Sequence, residues 1–307
     1  MSGPGGVTFV SPESATWRVQ LDRAMWVAGV RGLMLQALHP RAMRGVWQRS
    51  DFRDDPTGRL IRTADFVATM TYGSAAEVAE LGARVRMIHS RLRFVDPETG
   101  RTHRVDEPDL LLWVHCAEVV SYLEVTVRAG LRLERGDADA YFAEQRDTAA
   151  QVGLDPADVP GSVAEMRSYL ARMRPSLRAT PEARAAIRFL LWPALPDRLR
   201  WLNPAKPLWW PVGALGYYAL PRFARRMLGV LPEVPGVEGA TTLGLTGVRA
   251  VLERTPNRWY NYLFDEATVL RAERARERLE ALGYEFPTRR GLRDPRDWRR
   301  AGLVTEG

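Results

Sequence analysis

Apolar residues recur along this chain at spacings of three and four rather than in alternation. The clearest run is Val78, Leu81, Val85, Ile88 and Leu92, which predicts a helix with one buried face. Ser74 precedes it as an N-cap, and Glu77 three residues later completes a capping box. The same pattern predicts helices over about 14–38, 57–73, 108–130, 137–152, 162–174, 180–191, 241–254 and 257–282. Pro40 stops the first of these, and Pro108 suits the first turn of another, where a missing N–H costs nothing. Short helical turns are expected between 40 and 54. A loop or hairpin is expected over 96–106, with Pro97 and Gly100 as turn residues. Alternating strand patterns are nearly absent. The expected fold is therefore all-α, a single large helical domain over 14–285. A flexible N-terminus (1–13) precedes it and a basic tail (286–307) follows.

Composition adds limits on chemistry and partners. At 46% hydrophobic and 26% charged, the chain can bury a sizeable core. Its net charge of +7 comes almost wholly from arginine, since Lys206 is the only lysine. The arginines are interspersed with 37 acidic residues and form no long run, so a solvated surface is expected and no nucleic-acid partner. A single cysteine, Cys116, excludes an internal disulfide and any cysteine-rich metal site. A reducing, cytoplasmic location is expected, because residues 1–10 lack a signal-peptide pattern. The nearest approach to a membrane span, 207–221, is short and broken by proline and glycine. Trp201, Trp209, Trp210, Tyr217 and Tyr218 crowd together ahead of Arg222, Arg225 and Arg226. Residues 201–226 are thus expected either to touch a membrane surface peripherally or to form a buried aromatic subcore.

Only four histidines exist, so a transition-metal site must draw on them and on carboxylates. His89 borders the apolar stripe that ends at Leu92. His115 follows the run Leu110, Leu111, Leu112, Trp113, Val114. Each is either a satisfied core histidine or a ligand, since a buried imidazole needs partners for its nitrogens. His39 stands at the end of the first predicted helix, where it can interact with the C-terminal carbonyls. His103 lies in a polar segment and is expected to be solvated. Arg59 and Thr63, four apart, share one helix face that Val67 and Met70 continue. Arg59 there either holds an anionic group or pairs with Asp54 or Asp55. The Rossmann glycines, the P-loop and the zinc-protease motif are missing. No glutamate precedes a histidine by three residues, which removes the ferritin-like di-iron motif. An iron site made of His89, His115 and Glu118 stays open.

Four segments in order carry a family resemblance: LMLQALHP (33–40), SDFRDDPTGRLIRT (50–63), RVRMIHSR (84–91) and DLLLWVH (109–115). Together they resemble the MpaB-type oxygenases, which share a catalytic domain with rubber oxygenase, over roughly residues 20–260. The resemblance implies a globin-reminiscent helical fold, a haem b cofactor and dioxygen-dependent attack on a lipophilic substrate. It also implies His89 as the proximal iron ligand, with Arg59 and Thr63 on the distal side. His115 matches a further family histidine with a supporting or alternative ligand role. One departure is Arg62, where rubber oxygenase can use a lysine as second axial ligand; arginine stays protonated and does not ligate iron. The function expected is a haem-dependent oxygenase. The alternatives are a helical haem or lipid carrier without turnover, and the non-haem iron enzyme of His89, His115 and Glu118.

Overall fold

Ser14 caps the first helix as expected, but the helix does not run on to residue 38. In a computed structural model of the protein, described over residues 8–192, 205–255 and 266–284, it divides into α1 (Ala15–Gln20) and α2 (Met25–Gln36). Asp22 makes the break. Its Oδ1 accepts from the Ala24 N–H at 2.8 Å, and its Oδ2 accepts from Arg249 Nε at 2.7 Å. A local side chain-to-backbone bond of this kind competes with helix continuation. A full helix, α3 (Pro40–Arg49), then forms where only short turns were expected. His39 is its N-cap, with Nδ1 accepting from the Ala42 N–H at 3.3 Å. The side chain thus serves the start of α3 rather than the end of α2, a role that needs a neutral ring nitrogen.

The next elements follow local signals closely. Asp55 caps α4 (Pro56–Tyr72), and the Ser74–Glu77 capping box opens α5 (Ala75–Arg91). The 96–106 segment is a hairpin loop whose arms are β1 (Arg93–Val95) and β2 (Thr102–Arg104), paired antiparallel with Phe94 opposite His103. His103 stacks on Phe94 at 5.5 Å between ring centres and bonds Glu107 at 3.1 Å, so it is more sheltered than the expected solvated residue.

At the centre lies α6 (Pro108–Arg128), with Trp113, Cys116, Ala117 and Leu123 fully buried. Among the described residues α6 is the one helix long and apolar enough to cross a bilayer, a longer candidate than the 207–221 stretch. Two thirds of its most apolar window is buried inside the protein, as in a core helix. Along it packs α2, with Gly32 against α6: a Cβ there would make ordinary contact with the Glu118 backbone at 3.5 Å. On another side of α2 lies α10 (Ala205–Tyr218). A Cβ on Gly216 would come to 3.0 Å from the Val30 side chain, so a larger residue there would require Val30 to give way by a few tenths of an ångström. Buried Arg31 fastens all three helices. It donates to Ala219 O at 2.9 Å and Ser121 Oγ at 2.7 Å, and pairs with Glu124. Around this core lie α7 (Asp137–Gln151), α8 (Val163–Met173), α9 (Pro181–Leu191), α11 (Arg222–Leu228), α12 (Val237–Arg254) and α13 (Glu266–Ala281). Over the described residues the protein is thus mostly helical with one small two-stranded sheet.

The aromatic stretch divides in use. Trp201 lies outside the described residues. Tyr217 is fully buried, and Trp209 donates to Leu190 O at 2.8 Å. Arg225 is buried as well: it pairs with Glu233 at 2.7 Å and Glu238 at 2.6 Å, and donates to Tyr218 O and Leu220 O. It is therefore a brace in the fold, not a headgroup contact. Of the residues singled out, Trp210, Arg222 and Arg226 face solvent.

Candidate functional site

Arg59 and Thr63 do share a face of α4, and they bond to each other. The guanidinium donates to Thr63 Oγ1 at 3.0 Å, while the hydroxyl donates to the Arg59 carbonyl at 2.8 Å. The arginine that takes the acidic residues at the head of α4 is Arg62, with Asp51 at 2.5 Å and Asp55 at 3.2 Å. Arg59 is thereby left to Thr63, and its side chain stays solvent-exposed. Desolvation lowers its pKa, while Asp51 and, more weakly, Glu118 favour its charge. Its charge is felt in turn by His89 on α5 and by Glu118 on α6. Three helices thus bring a guanidinium, an imidazole and a carboxyl into one neighbourhood.

His89 is half-buried. Burial holds its pKa below the usual histidine range, and the Arg59 charge adds to this, so the ring is neutral near pH 7. Its Nδ1 is buried with no hydrogen-bond partner. The helix around it departs from the expected buried stripe. Only Val78 of that stripe is fully buried, Ile88 is 43% exposed, and neighbouring Met87 is 47% exposed. A face patterned for apolar contact is left partly uncovered beside an unpartnered imidazole.

His115 sits one turn before Glu118 on α6 and is buried, with Nε2 lacking a partner. Burial alone takes its pKa down to about 4. Burial pushes the Glu118 carboxyl up, against the opposing effects of Tyr122, whose hydroxyl donates to Oε1, and of Arg59. Among the described residues no three His, Cys, Asp or Glu side chains come together as a metal site. His89, His115 and Glu118 therefore do not form a two-histidine, one-carboxylate centre. The Arg59 charge acting on both His89 and Glu118 would also oppose a bare cation there.

A cleft of about 220 Å³ adjoins this cluster, between α2, α4, α6, α10 and α13. Its walls are chiefly apolar, including Met25, Trp26, Leu33, Val67 and Trp209. Thr63, Glu118 and Tyr122 line it too, whereas Arg59, His89 and His115 do not. Sequence reasoning treated Glu118 only as a metal ligand and passed over Tyr122. The available signal was a glutamate and a tyrosine four apart inside an otherwise apolar helix, a pair that share a face.

Residues 17–252 match the family model described as the ER-bound oxygenase mpaB/B′ and rubber oxygenase catalytic domain. The chain belongs to this family. The fold agrees: a structure of latex clearing protein in its closed state superposes with a TM-score of 0.57 at 18% identity, covering 90% of this chain and 76% of that one. No curated protein matches the sequence. Family members of this kind are oxygenases, and the resemblance read from the sequence adds a haem. The residues present fit that group. A partly uncovered apolar face, with Met87 and Ile88 exposed, carries a neutral histidine with an unpartnered nitrogen, and the charge of Arg59, suited to a carboxylate, is felt there.

Proposed function

We propose that the protein is a haem b-dependent oxygenase that acts on a lipophilic substrate with dioxygen. The observation that carries this reading is His89: a neutral imidazole with a buried, unpartnered nitrogen on an uncovered apolar face, within reach of the Arg59 charge. When bound, haem would supply the iron that activates dioxygen. His89 offers the proximal nitrogen and needs no deprotonation to do so. Arg59 offers a cation for a propionate, and it fixes the Thr63 hydroxyl, which lines the cleft, in one orientation. Arg62 is held by Asp51 and Asp55 and does not line the cleft. Glu118 keeps a proton-exchanging group at the cleft wall, with Tyr122 bonded to it. The apolar walls exclude water and hold a greasy substrate by surface burial.

The test is the visible absorption spectrum of the purified protein, with and without dithionite and carbon monoxide. A strong Soret band that shifts with carbon monoxide is expected. No Soret band, even after expression with added haem, would overturn the haem reading. Turnover of a lipophilic alkene with dioxygen then separates an oxygenase from a carrier, which needs the pocket but not the products.

A further inference from the structure

The cleft is not uniformly apolar, and its polar groups are unequally satisfied. Near one end, Asp22 lines the wall with both carboxylate oxygens occupied, one by the Ala24 N–H and the other by Arg249. On α6, by contrast, only Oε1 of Glu118 has a donor, the Tyr122 hydroxyl; Oε2 has none among the described residues. Thr63 lines the same wall, its hydroxyl oriented by Arg59. A carboxyl with a vacant oxygen beside apolar surface is costly when the cleft fills with hydrocarbon, because water leaves and nothing replaces it.

We infer that the cleft selects a lipophilic alcohol, whose hydroxyl seats against Glu118 while its hydrocarbon part lies along α2, α4 and Trp209. A hydroxyl satisfies Glu118 in either protonation state: it donates to the carboxylate and accepts from the carboxylic acid. A pure hydrocarbon satisfies neither. A fatty-acid carboxylate brings like charge against an ionised Glu118 and joins Asp22 and Glu273 on the same walls, while the cleft cations are taken: Arg276 is engaged by Glu253 at 2.6 Å and Glu280 at 3.4 Å, and Arg23 has its own interaction. The inference rests on the proposed role of the cleft as substrate pocket and adds the class of substrate.

The experiment is equilibrium binding of n-octanol, n-octane and octanoate to the purified full-length protein, read by quenching of tryptophan fluorescence and by calorimetry. Trp26 and Trp209 line the cleft and report its filling. Octanol should bind about tenfold or more tightly than octane, the usual worth of a hydrogen bond to a charged or buried group, and octanoate should bind weakest. In Glu118→Leu the preference for octanol over octane should vanish while octane binding holds or improves. Glu118→Gln, which keeps the shape and an acceptor, should retain part of it and covers the case of a Leu variant that fails to fold. Equal binding of octanol and octane by the wild-type protein, or an undiminished preference in both variants, would overturn the inference. The Soret spectrum, recorded on the same samples, reports the haem reading separately: a preference for octanol without a Soret band leaves the substrate class standing and the haem fallen.

Discussion

Arg59 and Thr63 are bonded in both directions across one turn of α4: guanidinium to hydroxyl at 3.0 Å, hydroxyl to the Arg59 carbonyl at 2.8 Å. The pairing uses up the hydroxyl proton inside the helix and leaves one hydroxyl lone pair unused on a residue that lines the cleft. Thr63→Val keeps the side-chain shape and removes both bonds. Because the pair is partly solvated, the folding free energy should change by no more than about 0.5 kcal/mol in urea melts. Turnover should fall on the order of 100-fold if the hydroxyl positions a reacting oxygen. A variant with wild-type turnover would remove Thr63 from the chemistry.

The two candidate histidines separate by what each loses. His89 is half-buried, so His89→Ala should leave the melting curve of the haem-free protein nearly unchanged and abolish the Soret band, which added imidazole should restore. His115 is buried with Nε2 unpartnered. Its replacement by Leu removes an unsatisfied polar atom and should be neutral or stabilising by about 1 kcal/mol in the haem-free protein. The Soret band should survive. Loss of the band in His115→Leu with retention in His89→Ala would transfer the ligand role to His115.

Where a signal is local, the sequence carried it. α5 starts at the Ser74–Glu77 box and α4 behind the Asp55 cap, because each cap bonds a backbone N–H three residues away. The α1–α2 break was hidden because Asp22 owes its place partly to Arg249, 227 positions along the chain. The same holds at the site. Arg59 and Thr63 were legible as a pair four apart on one helix. The separation of His89 from a metal cluster was not, since it depends on where α5 settles relative to α6. Nor does periodicity distinguish a stripe packed on protein from one left open: Ile88 keeps the spacing of a core residue and is 43% exposed.

His39 gives the fold an acid-sensitive cap. Its Nδ1 must be unprotonated to accept from the Ala42 N–H, and burial, aided by the Arg41 charge, lowers its pKa to about 4. The unfolded chain takes up that proton near pH 6.5, the folded one near 4. Between those values the unfolded state binds more protons, so stability falls as pH drops through the window. Up to about 3 kcal/mol rests on this one group. His39→Asn supplies a cap that does not titrate and should flatten the urea-melt stability profile over that range. An unchanged slope would assign the acid sensitivity elsewhere.

Asp22 and Arg249 form an ion pair buried to 1% and 6% exposure, joining the α1–α2 turn at the cleft to α12. Burial pushes the Asp22 carboxyl up and Arg249 pulls it down, the first effect prevailing. Arg249→Met strands that carboxyl and should cost about 3–5 kcal/mol at neutral pH. Protonation of Asp22 relieves the penalty, so the deficit relative to wild type should shrink as the pH is lowered. Asp22→Asn combined with Arg249→Met keeps an acceptor for the Ala24 N–H without a stranded charge, and should recover most of the loss. A double variant no more stable than Arg249→Met would mean that the pair holds α12 in place by geometry that no neutral substitute reproduces.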